Sequence, residues 1–273
     1  MDTFAPVALL NGVAADGEPN ALLALAWSNY GHFTTVRVRD GAVQGLDLHF
    51  DRLRQGNSEL FGAALDEVAV RGWMRQASAA SGGDCSLRVT VFSRHFDHRR
   101  PQRELPVDVL VTASAPVVPA LQPLRVRSCA WQRPLPQLKH VGMFALHHHR
   151  RQAVLAGWDD VLLVGGEDAD APICEGSVWN IGFWDGQGVV WPQAPALRGT
   201  GERLLQEGLA VQGVAQQIRP LALSEVAGFR AAFAVNANGV RAIGAIDGAA
   251  YAEAPELVRL LAVAARHAHW APL

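Results

Sequence analysis

The sequence predicts an α/β protein of two domains, on three observations. The chain has 273 residues, which is enough for two domains that each bury a core. Strand-like runs and helical periods alternate along it. A charge-free stretch with two prolines, residues 113–120, separates the halves. We therefore expect a smaller N-terminal domain over residues 1–115, a linker over 116–122 and a larger C-terminal domain over 123–273.

The N-terminal half reads as strands and turns that lead into one helix. Residues 33–38 alternate β-favouring side chains up to a hairpin-type turn, and residues 42–48 read as the partner strand. Residues 48–61 then follow a helical period. Two more strands are predicted at 87–92 and 107–112, with a loop rich in histidine and arginine between them.

The C-terminal half is predicted to place its one lysine at a junction between elements. A strand at 124–130 is followed by two prolines, by Lys139 and by a helix over 143–155. The later elements are strands at 161–164, 178–184 and 231–237, and a loop that opens into a helix over 199–207.

The composition argues against several classes of protein. A formal net charge of −2 and scattered arginines indicate no nucleic-acid partner. Apolar runs too short to span a membrane, and an N-terminus without a basic and then apolar leader, favour the cytoplasm. Three cysteines without a CxxC pair suit a reducing compartment. No metal is expected at the consecutive histidines 147–149, because neighbouring helical residues point in different directions.

Lysine is the unusual residue in the composition. Lysine and arginine total 24, and lysine occurs once, at position 139. Arginine can replace lysine at most surface sites, but its guanidinium cannot form an imine with an aldehyde. Lys139 is therefore either a surface lysine that survived by chance or a lysine that chemistry requires.

Four motifs carry a resemblance to a known family. Lys139 precedes a helix, and Glu175 begins an E-x-S-x-x-N pattern 36 residues later. In the N-terminal half, Tyr30–Thr35 reads Y-G-H-F-T-T, and residues 49–53 read H-F-D-R-L. In these motifs the chain resembles the class IV aminotransferases, the fold-type IV pyridoxal-phosphate (PLP) enzymes. The resemblance implies two α/β domains with the PLP site at their interface, a homodimer and a small-molecule amino substrate.

The resemblance assigns roles to the residues of these motifs. Lys139 matches the Schiff-base lysine, which bonds the cofactor aldehyde and then moves the substrate proton. Glu175 matches the carboxylate beside the ring nitrogen, although a solvated loop acid is the plainer interpretation. Arg52 matches the arginine that binds the phosphate, where a planar fork can hold two oxygens.

Further residues are assigned to the phosphate and to the substrate. Thr200 and Gly201 lie in a segment similar to the family's L-P-G-I-T-R, which opens a helix whose amides face the phosphate. Glycine stands there where the family usually has threonine. Asn236 falls where relatives bring a side chain to the same phosphate. Tyr30 is expected to contact the substrate. Arg94 either binds a substrate carboxylate or lies in a solvated loop.

The motifs favour one reaction of the family over another. Transaminases commonly read F-E-G or F-E-T where this chain reads F-T-T, which resembles the aminodeoxychorismate lyases that form 4-aminobenzoate and pyruvate. Thr35 is then the catalytic threonine, and Phe144 stands where branched-chain enzymes have a tyrosine. The lyase pattern is altered at His32 and Gly142. A transaminase of D- or branched-chain amino acids or amines is the alternative, followed by a PLP-binding protein without turnover.

Overall fold

The computed structural model describes residues 6–117, 120 and 122–273, and its contacts divide the chain into two units. Unit 1 contains the chain up to Val117, together with Leu138–Gly142 and Trp270–Leu273, whereas unit 2 contains the stretch that ends at Gln137 and Met143–His269. Both units combine helices with a sheet, so the predicted α/β class is confirmed. Lys139 belongs to unit 1 although it follows the predicted linker. Residues 118, 119 and 121 of that linker lie outside the described residues.

Unit 1 is built on a five-stranded antiparallel sheet. Its elements in chain order are β1 (Val7–Leu10), β2 (Val13–Ala14), α1 (Pro19–Ser28), β3 (Gly31–Val38), β4 (Ala42–Gln44), α2 (Leu46–Phe61), α3 (Glu67–Ala80), β5 (Cys85–Phe92) and β6 (Asp108–Ser114). The strand order is β2-β1-β6-β5-β3. One face of the sheet packs against α2 and α3 around buried Val36, Leu53, Met74 and Val89.

Two predictions for the N-terminal half are wrong. The described part of this half contains three α-helices, not one, because α1 and α3 were not recognised. Helix α3 has a clear local start signal, since the side chain of Asp66 accepts a hydrogen bond from the amide of Ala69. The predicted strand over 42–48 ends at Gln44, because Gly45 adopts a left-handed conformation with φ of 60° and α2 begins at Leu46.

Unit 2 contains a larger, mixed sheet. Its elements are β7 (Leu124–Ala130), α4 (Phe144–Leu155), β8 (Asp160–Val164), β9 (Ile173–Gly176), β10 (Asn180–Trp184), β11 (Gly188–Pro192), α5 (Thr200–Val211), β12 (Ala215–Arg219), β13 (Ala231–Asn236), β14 (Gly239–Ile246), β15 (Ala249–Ala250) and α6 (Pro255–His267). The strand order is β12-β11-β10-β13-β14-β7-β8-β9, and β15 pairs with β14. The sheet packs through two clusters, one centred on Ile181 and Phe183 and the other on Trp191 and Phe233.

The chain returns to unit 1 at its end. Strand β16 (Trp270–Pro272) pairs antiparallel with β4, and the amide of Leu273 donates to the carbonyl of Gly41. Across the described parts of both units, no helix combines the length and the apolar character that crossing a membrane requires.

Two helical glycines of unit 1, one at a close contact and one in open space, test how closely β3 packs on α2. A Cβ at Gly56 of α2 would lie 2.5 Å from Nδ1 of buried His32, whereas a Cβ at Gly72 of α3 meets no atom within 4 Å. Gly56→Ala should therefore lower the free energy of unfolding by about 1–3 kcal/mol through overpacking. Gly72→Ala, the control, should raise it by about 0.5–1 kcal/mol through helix propensity. Urea unfolding measures both, and stabilisation by Gly56→Ala would contradict the close packing.

Candidate active site

Lys139 is held against the edge of β3 by backbone hydrogen bonds. The amide of Phe33 donates to the carbonyl of Lys139 over 2.8 Å, and the amide of Val141 donates to the carbonyl of Gly31 over 2.9 Å. The segment thus runs along β3 as a short added strand. It places Nζ of Lys139 5.0 Å from the centroid of the Phe33 ring.

The face of β3 that carries Phe33 and Thr35 is polar. Arg88 of β5 lies opposite Thr35 in the sheet register, so the two side chains project from the same face. The guanidinium carbon of Arg88 is 3.5 Å from the centroid of the Phe33 ring, and Nε of Arg88 donates to Oγ1 of Thr90. Burial lowers the pKa of Arg88. This face therefore offers a hydroxyl and a partly desolvated cation near the lysine amine.

The opposite face of β3 carries Thr34, which contacts two residues of α2. Oγ1 of Thr34 lies 2.7 Å from Nδ1 of His49, and Nη1 of Arg52 donates to the same oxygen over 3.4 Å. Thr34 and His49 are buried, and Arg52 is half-buried. Arg52, which the sequence predicts to bind phosphate, therefore forms a polar cluster with His49 and Thr34. Thr34 is the neighbour of Thr35, the predicted catalytic threonine.

Tyr30 is engaged by its surroundings in unit 1. Its ring stacks on Phe96 at 4.1 Å between centroids and contacts the edge of Phe61, and its hydroxyl donates to the carbonyl of Leu60. Burial, with a smaller contribution from Glu59, raises the pKa of Tyr30. A substrate contact of Tyr30 stays a prediction. Because the hydroxyl hydrogen is donated to Leu60, Tyr30 would have to accept the hydrogen bond from a substrate.

Arg94 has a structural partner that the sequence did not reveal. Its guanidinium binds both carboxylate oxygens of Asp108 and also donates to Glu18 over 3.0 Å. The hydrogen bonds that Arg94 donates to Asp108 raise the pKa of Arg94. The geometry argues against the predicted substrate-carboxylate role, because the fork that would hold a substrate already holds Asp108. Arg88 is the better placed arginine for that role.

In unit 2, Glu175 forms a buried ion pair. Nε of Arg133 donates to Oε1 of Glu175 over 3.0 Å, and the side chains are only 5% and 4% exposed. The amide of Leu197 donates to the other carboxylate oxygen over 3.3 Å. The interpretation of Glu175 as a solvated loop acid is therefore wrong. A buried guanidinium favours the ionised carboxylate.

The E-x-S-x-x-N pattern holds the loop before α5. Asn180 donates to the carbonyl of Leu197 over 2.7 Å, so Glu175 and Asn180 both bind the backbone of Leu197, one at its amide and one at its carbonyl. Between them, Oγ of Ser177 is fully buried and has no hydrogen-bond partner among the described residues. A buried hydroxyl without a partner is rare in a protein interior and indicates a site for a polar ligand.

Thr200, Gly201 and Asn236 meet at the N-terminus of α5. Thr200 is the first residue of the helix, and a Cβ at Gly201 would lie 2.3 Å from the carbonyl oxygen of Asn236. No side chain fits at position 201, which explains the glycine in place of the family's threonine. The side chain of Asn236 donates to the carbonyl of Val178 and accepts from the amide of Asn238. Its predicted phosphate contact stays untested.

The sequence analysis missed four functional candidates, which are Thr34, His49 and Arg88 in unit 1 and Arg133 in unit 2. The first two lie in quoted motifs, but only strand alternation and helix spacing together reveal their contact. Arg88 could have been found as an arginine within a strand pattern. Arg133 and Glu175 are 42 residues apart, and their meeting depends on the β7-β8-β9 strand order.

Comparisons with known proteins identify the family and the fold. The profile of a family described as amino-transferase class IV matches residues 31–246. Similar solved structures include a putative 4-amino-4-deoxychorismate lyase from Legionella pneumophila, with a TM-score of 0.78 and 18% identity over 87% of this chain and 91% of that one. The branched-chain aminotransferase of the thermophilic archaeon Thermoproteus uzoniensis, solved with norvaline, has a TM-score of 0.82 and 18% identity over 95% and 93%.

A hypothetical aminotransferase from Mycobacterium tuberculosis in its PLP-bound form has a TM-score of 0.73 and 19% identity, over 88% of this chain and 89% of that one. No curated protein matches the sequence. At these identities the structures establish the fold, and the family profile establishes the membership.

The Arg133–Glu175 pair makes a testable contribution to stability. Arg133→Met leaves a carboxylate buried without its cation and should lower the free energy of unfolding by about 3–5 kcal/mol. Adding Glu175→Gln removes the buried charge and should restore most of the loss. Urea unfolding of both variants measures this. Arg219→Met, which breaks an exposed pair with Glu225, is the control and should cost less than about 1 kcal/mol. Equal losses of unfolding free energy in Arg133→Met and Arg219→Met would show that burial does not increase the contribution of the Arg133–Glu175 pair.

Proposed function

The chain belongs to the class IV aminotransferase family, whose members are PLP-dependent enzymes, and we propose that it acts as an aminodeoxychorismate lyase that forms 4-aminobenzoate and pyruvate. The family membership follows from the profile match over residues 31–246. The lyase activity is the more specific part of this proposal, and one observation supports it. Thr35 projects from the polar face of β3, opposite Arg88 and beside Phe33, whose ring lies near the amine of Lys139.

The residues present fit PLP. Lys139 is the single lysine of the chain, and its amine suits the cofactor aldehyde. The guanidinium of Arg52 suits the phosphate. Glu175 suits the ring nitrogen, and the buried Ser177 hydroxyl, which lacks a partner among the described residues, and the N-terminus of α5 suit polar groups of the cofactor. When bound, PLP links covalently to amines and withdraws electrons from bonds at the α-carbon.

Each residue then has a defined task. Lys139 provides the nucleophilic amine and, once released, carries the proton of the substrate α-carbon. Glu175, which pairs with Arg133, would hold a proton on the pyridine nitrogen. Arg52 and the amides of Thr200 and Gly201 bind the phosphate, as a charged fork and a helix N-terminus do.

Thr35 and Arg88 serve the substrate. The Thr35 hydroxyl would deliver a proton to the departing enolpyruvyl group, which leaves as pyruvate when its C–O bond to the ring breaks and the ring becomes aromatic, and the Arg88 guanidinium would bind a substrate carboxylate. Phe144 supports the lyase over a branched-chain transaminase, because its side chain has no hydroxyl and is 81% exposed. Arg88 takes the place that the sequence had assigned to Arg94.

We propose that the enzyme is a homodimer in the cytoplasm, as the family resemblance implies. Helix α1 of unit 1 exposes Leu23 and Trp27, which are 62% and 85% accessible. Apolar side chains exposed together on one helix are suited to burial against another copy of the chain.

Covalent trapping tests the role of Lys139. The purified protein incubated with PLP should absorb near about 410–430 nm, and borohydride reduction followed by peptide mapping should label Lys139, the one lysine available. Lys139→Arg keeps the charge but loses the nucleophile, so it should fold normally and show no turnover. A label elsewhere, or substantial activity of this variant, would remove Lys139 from the site.

Thr35 separates the lyase from the transaminase. Thr35→Ala should reduce 4-aminobenzoate formation by about 10²–10⁴-fold, the usual contribution of a positioned acid–base group, while half-transamination of simple amino acids continues. Thr35→Ser should retain activity. Thr112→Val, on β6 opposite Arg88, is the control for a lost strand hydroxyl.

Three other outcomes have distinct meanings. If wild-type protein transfers amino groups from D- or branched-chain amino acids or amines and forms no 4-aminobenzoate, the transaminase alternative holds. If Lys139 is labelled but neither reaction occurs, the protein binds PLP without turnover. Equal loss of both activities together with a lower melting temperature would make Thr35 structural.

A further inference from the structure

Two adjacent threonines of β3 serve different faces of the strand. Thr35 lies on the polar face with Arg88, and Thr34 lies on the face that packs against α2. Side chains alternate along a strand, so neither threonine can substitute for the other. The function proposed above uses Thr35 and leaves Thr34 unexplained, although Thr34 is only 1% exposed and forms two polar contacts.

Oγ1 of Thr34 lies between Arg52 and His49. The guanidinium of Arg52 can only donate, so Oγ1 of Thr34 accepts from it. The same oxygen lies 2.7 Å from Nδ1 of His49, and the hydroxyl donates to this nitrogen when the neutral imidazole carries its proton on Nε2. With that tautomer, the order of donation is Arg52 to Thr34 to His49.

The surroundings of His49 keep it neutral. Burial is the main cause, and the positive charges of Arg52 and Lys139 add to it, so that the pKa of His49 falls to about 3. His49 is 3% exposed and lies on α2 one turn before Arg52. A neutral His49 adds no third positive charge beside these two cations and remains an acceptor for Thr34.

We propose that Thr34 is a positioning residue, which together with His49 fixes the guanidinium of Arg52 in the direction of the cofactor phosphate. The inference rests on the proposed PLP-binding role of Arg52. Arginine has a long side chain with several rotatable bonds, and holding it in place before binding reduces the entropy that binding costs. Thr34 therefore acts through Arg52, whereas Thr35 acts on the substrate directly.

The test compares two ligands that differ by the phosphate. Affinities of the apo-protein for PLP and for pyridoxal, which lacks the phosphate, are measured by absorbance titration in wild type and in Thr34→Val. Loss of the hydrogen bond from Arg52 to Thr34, which is long at 3.4 Å, predicts PLP binding about 5- to 10-fold weaker. Binding of pyridoxal should change by less than about twofold, since Arg52 does not contact it.

Companion variants make the result specific. Thr34→Ser should keep the wild-type ratio of PLP to pyridoxal affinity because it keeps the hydroxyl. Arg52→Ala should reduce the ratio of PLP to pyridoxal affinity more than Thr34→Val does, and it should show no further loss when combined with Thr34→Val. Thr112→Val, a threonine of β6, is the control and should leave the ratio unchanged. Thr34→Ala is measured in parallel, so that poor folding of the valine variant does not prevent the comparison.

The outcomes separate this inference from the proposed function. If wild type binds no PLP, both fail. If wild type binds PLP and Thr34→Val leaves the affinity ratio unchanged, or weakens both ligands equally, the inference fails and the function stands. A fall in the melting temperature of the apo-protein without a change in ratio likewise makes Thr34 a structural residue.

Discussion

The register of β3 is the constraint on which the rest of unit 1 depends. Eight residue pairs join it to β5, from Gly31 with Phe92 to Val38 with Cys85. A slip of one residue would exchange the faces of Thr34 and Thr35 and would carry a hydroxyl from α2 to the side of Arg88. The same strand binds the Lys139 segment through two backbone hydrogen bonds, so β3 positions Lys139, Arg52 and the face that carries Thr35.

Much of the fold could be predicted because its strands and helices carry local signals. Strand β7 has the predicted bounds, and the predicted helix 143–155 differs from α4 by one residue. Helix α3 was missed although the Asp66 cap marks its start, whereas α1 has a weaker pattern. Helix α1 has an apolar composition on most of its faces, so no helical stripe marks it. The strand predicted after the β3 turn was overextended, since the left-handed conformation of Gly45 leaves no sign in a hydrophobic pattern.

The sequence motifs predicted the candidate site residues, but they did not predict which residues contact one another. Lys139, Glu175 and Arg52 were recognisable because the motifs around them keep a fixed spacing. The partners of Glu175 and Arg94 lie 42 and 14 residues away and are set by strand order and packing. Arg94 shows the limit of such assignments most clearly, because an arginine in a polar loop looks the same in sequence whether it meets a ligand or, as here, Asp108.

The contact between Gly201 and the carbonyl oxygen of Asn236 has a consequence for how this sequence can change. The 2.3 Å that a Cβ would leave makes the family's threonine sterically inaccessible at position 201 unless the end of β13 moves. The atoms that a Cβ would meet belong to the backbone of Asn236, so a different side chain at position 236 would not relieve the contact. A threonine at position 201 therefore becomes acceptable only after substitutions elsewhere displace the end of β13, which makes position 201 epistatic to the residues that hold this strand end in place.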